Sequence, residues 1–193
     1  MKKMVGIVLL IAVIALTGCS HGTITEEQEK TARTYDCDYH TLSVRTCISY
    51  EKDGDEYEIS GDLIRFVTDP LQLKKNGEII GKADDTYHVV GQDDHAIVIN
   101  GNFEIDIQGN FEVLGNSYEL YGSDKEKVGY AEFGTLCLDG AVYTVNDDVV
   151  AEYSRRPFMN DYSVTIYDND LCSDEAILMI IASYVSDYHE DKK

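Results

Sequence analysis

A mainly β fold, closed as a barrel or sandwich around one apolar C-terminal helix, is what this sequence of 193 residues predicts. Three observations carry that expectation. From about Thr41 onwards, apolar and polar residues alternate in short runs, the period that turns one face of a strand inward. Gly, Asn and Asp punctuate those runs while only 2 Pro occur, and these residues tolerate the positive φ of tight hairpin turns. One segment, Ser173 to Asp187, abandons the alternation for a continuous apolar stretch. Meanders this dense close on themselves, because an open sheet would leave long unpaired edges.

The composition agrees with one packed domain. Hydrophobic residues make up 44% and aromatic residues 10%, enough for one core at a length that leaves little room for two. The 15 Gly and 14 Tyr, with no Trp, suit a turn-rich sheet with half-buried aromatic positions. Against 16 Lys and Arg stand 36 Asp and Glu, a net charge of −20. Nucleic acid is excluded as a partner, since a polyanion needs clustered cations and this surface repels it.

At the N-terminus, Lys2 and Lys3 precede an apolar run from Met4 to Leu16, which ends in Leu16-Thr17-Gly18-Cys19. As a helix that run is roughly 20 Å long, short of the roughly 30 Å hydrocarbon core, so it reads as a signal peptide over residues 1–18. A small residue, Gly18, opens the backbone to a peptidase, and the Cys19 thiol is the nucleophile that takes a diacylglyceryl group. This pattern resembles bacterial lipoprotein precursors, which implies cleavage before Cys19 and a lipidated, palmitate-bearing Cys19. Two acyl chains hold a domain on a bilayer where one does not. The expected location is the exported, extracytoplasmic face of the cell membrane. Cleavage removes two lysines and no acid, taking the net charge from −20 to −22. Residues 19–34 carry one Ile and no aromatic side chain, and they read as a flexible tether with a reach of roughly 20 Å.

The body, residues 35–193, divides into candidate strands Thr41–Tyr50, Glu56–Ser60, Leu63–Thr68, Leu71–Lys74, Thr86–Val90, Ala96–Asn100, Phe103–Ile107, Phe111–Leu114, Tyr118–Tyr121, Lys127–Phe133, Thr135–Leu138, Val142–Val145, Val149–Ser154 and Tyr162–Tyr167. Turns are expected at Asp53-Gly54, Asn76-Gly77, Asn100-Gly101, Asp139-Gly140 and Asn146-Asp147-Asp148. Two stretches share a grammar of strand, acidic turn and apolar-x-Ala-Glu-aromatic: Tyr118 to Phe133 and Tyr143 to Tyr153.

The helix is expected over residues 173–188. Ser173 can cap its first amides, Asp174 and Glu175 suit the positive end of its dipole, and Ala176 to Ala182 is apolar without interruption. A helix apolar all round must be enclosed, and this one is too short to cross a bilayer. Ile177, Ile180, Ile181 and Tyr184 form one stripe and Leu178 lies beside it, so these are the expected core-helix residues.

In an exported protein, Cys37, Cys47, Cys137 and Cys172 are disulfide candidates. Three pairings can be drawn. Cys37 with Cys47 is the local one, leaving Cys137 to meet Cys172; buried or free thiols are the alternative.

Signatures of catalysis and metal binding are sparse. The five His show no zinc spacing. Asp93-Asp94-His95 reads as a solvated turn. Asp53 to Glu56 and Asp168-Asn169-Asp170 read as Asx turns, because an EF-hand count from Asp168 puts Met179 where a bidentate acid is required. No nucleophile elbow, phosphate-binding loop or dinucleotide fingerprint occurs. The chain is expected to be no enzyme and to use no cofactor or metal.

Two segments carry a family resemblance. The hairpin from Val150 to Asp168, with Arg155-Arg156 at its bend, followed by the apolar stretch Ala176 to Val185, resembles the C-terminal end of tubby C-terminal-like proteins of the LURP-one-related group. Gly109 to Leu120 is similar to a central hairpin of that group. The resemblance covers about Leu63 to Tyr188 and implies a closed β-barrel of about twelve strands around a central helix; a lipocalin-like barrel with a packed C-terminal helix is the alternative. Family members include phosphoinositide-binding and scramblase-like proteins. The basic pocket of the former is not matched here, where the adjacent basic pairs of the body are Lys74-Lys75 and Arg155-Arg156.

The expected function is that of a lipid-anchored cell-surface protein with a non-enzymatic binding or structural role towards an envelope protein, glycan or lipid. A scramblase- or lipocalin-like lipid-handling barrel is the second reading. An envelope hydrolase with its site assembled in space is the third. Ligand and oligomeric state are not specified by the sequence.

Overall fold

The computed structural model describes residues 24–42, 45–62, 71–85, 94–112, 115–134, 138–156, 161–167 and 169–190. A short helix α1 (Glu26–Thr31) precedes strands β1 (Arg33–Leu42), β2 (Arg45–Lys52), β3 (Asp55–Asp62), β4 (Leu71–Lys75), β5 (Glu78–Asp85), β6 (Asp94–Ile99), β7 (Asn102–Glu112), β8 (Gly115–Tyr121), β9 (Lys127–Phe133), β10 (Asp139–Thr144), β11 (Val149–Arg155) and β12 (Asp161–Ile166), and helix α2 (Asp174–Glu190) ends the chain. The twelve strands form one closed antiparallel barrel in which each pairs with its neighbours in sequence. Closure is made by β1 against β12, from Arg33 opposite Ile166 to Asp38 opposite Asp161.

Alternation in the sequence becomes inside and outside in the barrel. On β1, Tyr35, Cys37 and Tyr39 are buried while Asp36, Asp38 and His40 are exposed. The two look-alike segments are the β8–β9 and β10–β11 hairpins, and their shared Ala-Glu-aromatic ending has this same cause. Ala131 and Phe133 point inward around exposed Glu132, as Ala151 and Tyr153 do around exposed Glu152.

Three hairpins turn on Asp53-Gly54, Asn76-Gly77 and Asn100-Gly101, with φ of 55° and 83°, 49° and 84°, and 51° and 79°. Left-handed backbone at both residues matches the twist of the flanking strands. These turns, together with those joining β8 to β9 and β10 to β11, lie at the end of the barrel where β1 begins. Helix α2 enters there too, and this end is called the entry end below.

Ser173 caps α2, its hydroxyl accepting from the Ala176 amide at 3.3 Å. From Ala176 to Val185 every residue is buried; Ile177 and Ile180 are 0% exposed, Ile181 and Tyr184 1% and Leu178 2%. The helix touches β4, β6, β7 and β12, which stand on different sides of the ring. It therefore fills the barrel, as its unbroken apolar run requires. Tyr184 stacks on Phe133 at 3.9 Å between ring centroids, meets Tyr118 edge-on at 6.4 Å and donates its hydroxyl to the Gly134 carbonyl at 2.8 Å.

Several boundaries differ from the sequence reading. Part of the stretch expected as a tether takes regular structure, from Glu26 onwards. Thr25 and Gln28 form a reciprocal capping box on α1, Ile24 and Ala32 pack on a cluster of Tyr143, Val149 and Tyr167, and Arg33 and Thr34 already belong to β1. The single strand expected over residues 41–50 is instead the end of β1 and most of β2. The two strands expected around Gln108-Gly109-Asn110 are one, β7, with Gly109 paired to Tyr118. Strand β5 was not expected: its inward positions are Gly81 and Ala83, too small to register as an apolar alternation. The expected strands at 63–68 and 86–90, and residues 135–137 of the one expected at 135–138, lie outside the described residues, and the turn expected at Asp139-Gly140 is instead the start of β10.

Candidate functional site

Two polar constellations stand out, both on the β1–β4 side of the barrel. The first binds α2 to the wall. Asp174, in the first turn of α2, receives two hydrogen bonds from the Arg33 guanidinium, Nε to Oδ2 at 2.8 Å and Nη2 to Oδ1 at 2.9 Å, and a third from the Tyr35 hydroxyl at 2.6 Å. Lys52 reaches Glu175 at 2.7 Å and Asp174 at 3.8 Å. Acids in a first turn complement the helix dipole, and the forked guanidinium fixes their direction. Burial pushes the Asp174 carboxyl up. The hydrogen bonds from Arg33 and Tyr35, with the charges of Arg33 and Lys52, outweigh burial and hold it below the ordinary value. Tyr35 is pushed far up by burial and then by its bond to Asp174.

This arrangement links stability to pH with a definite sign. A carboxyl whose folded pKa is depressed stabilises fully above the unfolded value, and that contribution is lost as pH falls through the folded one. Asp174→Asn is expected to cost about 1 to 2 kcal/mol at neutral pH, a figure kept modest because Arg33 is partly in water. The difference from wild type should close as pH falls below about 3.9. Urea unfolding across the acid range checks this, and an equal deficit at every pH would count against it.

The second constellation is a cleft of about 760 Å³. Asp36 and Asp38 of β1, Ser49 and Glu51 of β2, Glu56 and Glu58 of β3 and Lys74 of β4 border it. The register sets Glu51 directly opposite Glu56, a like-charge pair that weakens a sheet. Lys74 is engaged with Glu58 at 2.7 Å. The excess of carboxylates suits a basic or hydroxyl-rich surface and repels an anionic one. Among the described residues no group of three His, Cys, Asp or Glu side chains is placed to hold a metal ion, and no helix is long and apolar enough to cross a membrane.

The basic pairs singled out in the sequence do not converge. Lys74 is paired as above, and Lys75 bonds Asp55 at 2.6 Å while lying 5.5 Å from the centre of the Tyr57 ring. Arg155, half-buried, and exposed Arg156 lie at the opposite end of the barrel. The Asp53-Gly54 segment is the β2–β3 turn, and the Asn169 side chain accepts from the Leu171 amide at 2.9 Å, an Asx turn. Asp94 and His95 open β6, so the turn expected there stops short of them. Asp93 and Asp168 lie outside the described residues.

The expected disulfides give way to free thiols. Cys37 faces the barrel interior unbridged, and burial pushes its thiol up to about 12. In the β1–β2 ladder Cys47 stands opposite His40, three positions along from Cys37. Three strand residues span about 10 Å, beyond the reach of a disulfide. Cys172, just before α2, is a free thiol as well, its ionisation strongly opposed by burial and by Glu104 and Asp174. Cys19 and Cys137 lie outside the described residues. The core-helix residues Ile177, Leu178, Ile180, Ile181 and Tyr184 are all brought together at the barrel axis.

The cleft was not foreseen. Its acids sit on three separate strands, and register alone gathers them. Asp36-Cys37-Asp38 holds the local signal, an out-in-out pattern just past the end of the expected tether.

No family model matches the chain, and no curated protein matches it. Among solved structures, a protein from Arabidopsis thaliana determined by X-ray crystallography aligns with a TM-score of 0.37 and 14% identity, over 88% of this chain and 99% of that chain.

Proposed function

We propose that this protein is a lipid-anchored component of the exported face of a cell membrane, with a barrel that serves a non-enzymatic binding or structural role. One observation carries the barrel's part of this reading: ten consecutive residues of α2, Ala176 to Val185, are buried within the ring of strands. These side chains occupy the barrel interior where an acyl chain would have to lie, which supports partners meeting the outside of the barrel. An anionic headgroup is a poor partner for that outside, because Lys74 and Lys75 are already ion-paired. The lipobox Leu16-Thr17-Gly18-Cys19 supports the anchor, and the tubby-like resemblance agrees with the twelve-strand barrel and its central helix.

Labelled palmitate fed to cells making the full chain should appear in wild type and vanish in Cys19→Ala, with the variant leaving the membrane fraction. Label retained by the variant would defeat the anchor. The purified barrel should take up no fluorescent fatty acid while folded; stoichiometric uptake would favour the lipid-handling reading instead.

A further inference from the structure

The entry end of the barrel carries Ile79, Phe103 and Val145, the large hydrophobic side chains most exposed to water among the described residues, at 60%, 40% and 51%. Each lies at a hairpin tip. Ile79 is the second residue of β5, Phe103 the second of β7, and Val145 begins the turn after β10. Strands lie about 4.8 Å apart, so Ile79 and Phe103 stand roughly 10 Å from one another, with Val145 further round the rim. Single exposed apolar residues are ordinary. Three at one end of a closed barrel form a tripod.

The N-terminal chain departs from the same end. Ile24 is packed on Tyr143, Val149 and Tyr167, beside the turn that bears Val145. Cys19 lies five residues before Ile24, a span of at most about 17 Å of extended chain. The ordered α1 thus shortens the leash, and any anchor on Cys19 draws the entry end, and not the opposite one, to within that distance of a bilayer.

We propose that the entry end of the barrel rests on the lipid surface, with Ile79, Phe103 and Val145 dipping into the interfacial region. The proposal rests on the anchor at Cys19. Three side chains alone hold a membrane weakly, but the anchor supplies a high effective concentration that makes a weak contact persistent. Carboxylates at the tips, Asp53, Asp124, Asp147 and Asp148 among them, limit the depth to the interface and favour a zwitterionic surface.

The chain contains no tryptophan, so a single introduced indole reports its own surroundings without background. The acylated full chain carrying Ile79→Trp, Phe103→Trp, Val145→Trp or, as control at the far end, Glu132→Trp is reconstituted on phosphatidylcholine vesicles with and without brominated acyl chains. Salt is held at roughly 0.15 M, where exposed charges are screened beyond about 8 Å. The three entry-end variants should shift their emission to the blue and lose intensity to the brominated lipid, while Glu132→Trp keeps both unchanged. Protein that sediments with vesicles yet shows no lipid quenching at any tip overturns the membrane contact and leaves the anchor standing. Tips shielded from aqueous iodide but not quenched by brominated lipid overturn it too, in favour of cover by a second copy or another protein. Failure of the acylated protein to sediment with vesicles defeats the anchor, and this proposal with it.

Discussion

A single carboxylate placed at Leu178, Met179 or Ile181 is expected to abolish folding. In an ordinary surface helix at least one of these positions would face water. Here Leu178 is 2% exposed, Met179 0% and Ile181 1%, and the ring of strands surrounds them. An unpaired buried charge costs several kcal/mol, comparable with the 5 to 15 kcal/mol that holds a whole domain together. Leu178→Asp, Met179→Asp and Ile181→Asp should each yield no soluble, sheet-rich product by circular dichroism. Truncation after Cys172 should do the same, since it exposes the inward faces of twelve strands. A truncated barrel that folds, together with a charged variant within about 0.5 kcal/mol of wild type, would falsify the central placement of α2.

Tyr184→Ala is expected to be the costliest neutral substitution in the helix, at about 3 to 5 kcal/mol. The ring is stacked on Phe133 and faces Tyr118, so its loss opens a cavity between two aromatic neighbours that are held by β8 and β9 and cannot follow. It also strands the Gly134 carbonyl, which accepts from the Tyr184 hydroxyl. Tyr184→Phe separates the two effects. It keeps the stack and loses one hydrogen bond, for about 1 kcal/mol. Denaturant midpoints of the pair measure the difference, and near-equal losses would mean that the stack contributes little.

The legible parts of this sequence were those where a single face decides the residue type. Lys127–Phe133 was read to its boundaries because Gly129, Ala131 and Phe133 alternate with larger or charged residues and a polar turn precedes them. The helix was legible because a stretch from Ala176 to Ala182 with no polar residue has nowhere to go except inside. Strand β5 was opaque for the opposite reason. A cylinder packed with a helix has thin places, and where Gly81 and Ala83 provide them the inward face loses its hydrophobic signature. Strand β1 is hidden by composition: a single Ile and no aromatic side chain in residues 19–34 point to a tether, although the Thr25-x-x-Gln28 capping box and, just beyond, the in-out rhythm of Tyr35, Cys37 and Tyr39 are present. The cleft and the free state of Cys37 depend on register between strands, and no local pattern encodes register.

Closure of the barrel by its first and last strands sets the order of events in its synthesis. Thr34 meets Thr165, 131 positions away, so the loop that must be closed spans most of the chain, and such distant pairings make folding slow. The element that fills the interior comes after both closing strands. A growing chain can form hairpins as they emerge, but it cannot complete the wall before β12 or the core before α2 has emerged. Until then every inward face remains open to water, to chaperones and to other unfinished copies. Helix α2 acts as the trigger for the whole domain, and a ribosome that stops short of it leaves hairpins with no core to close on.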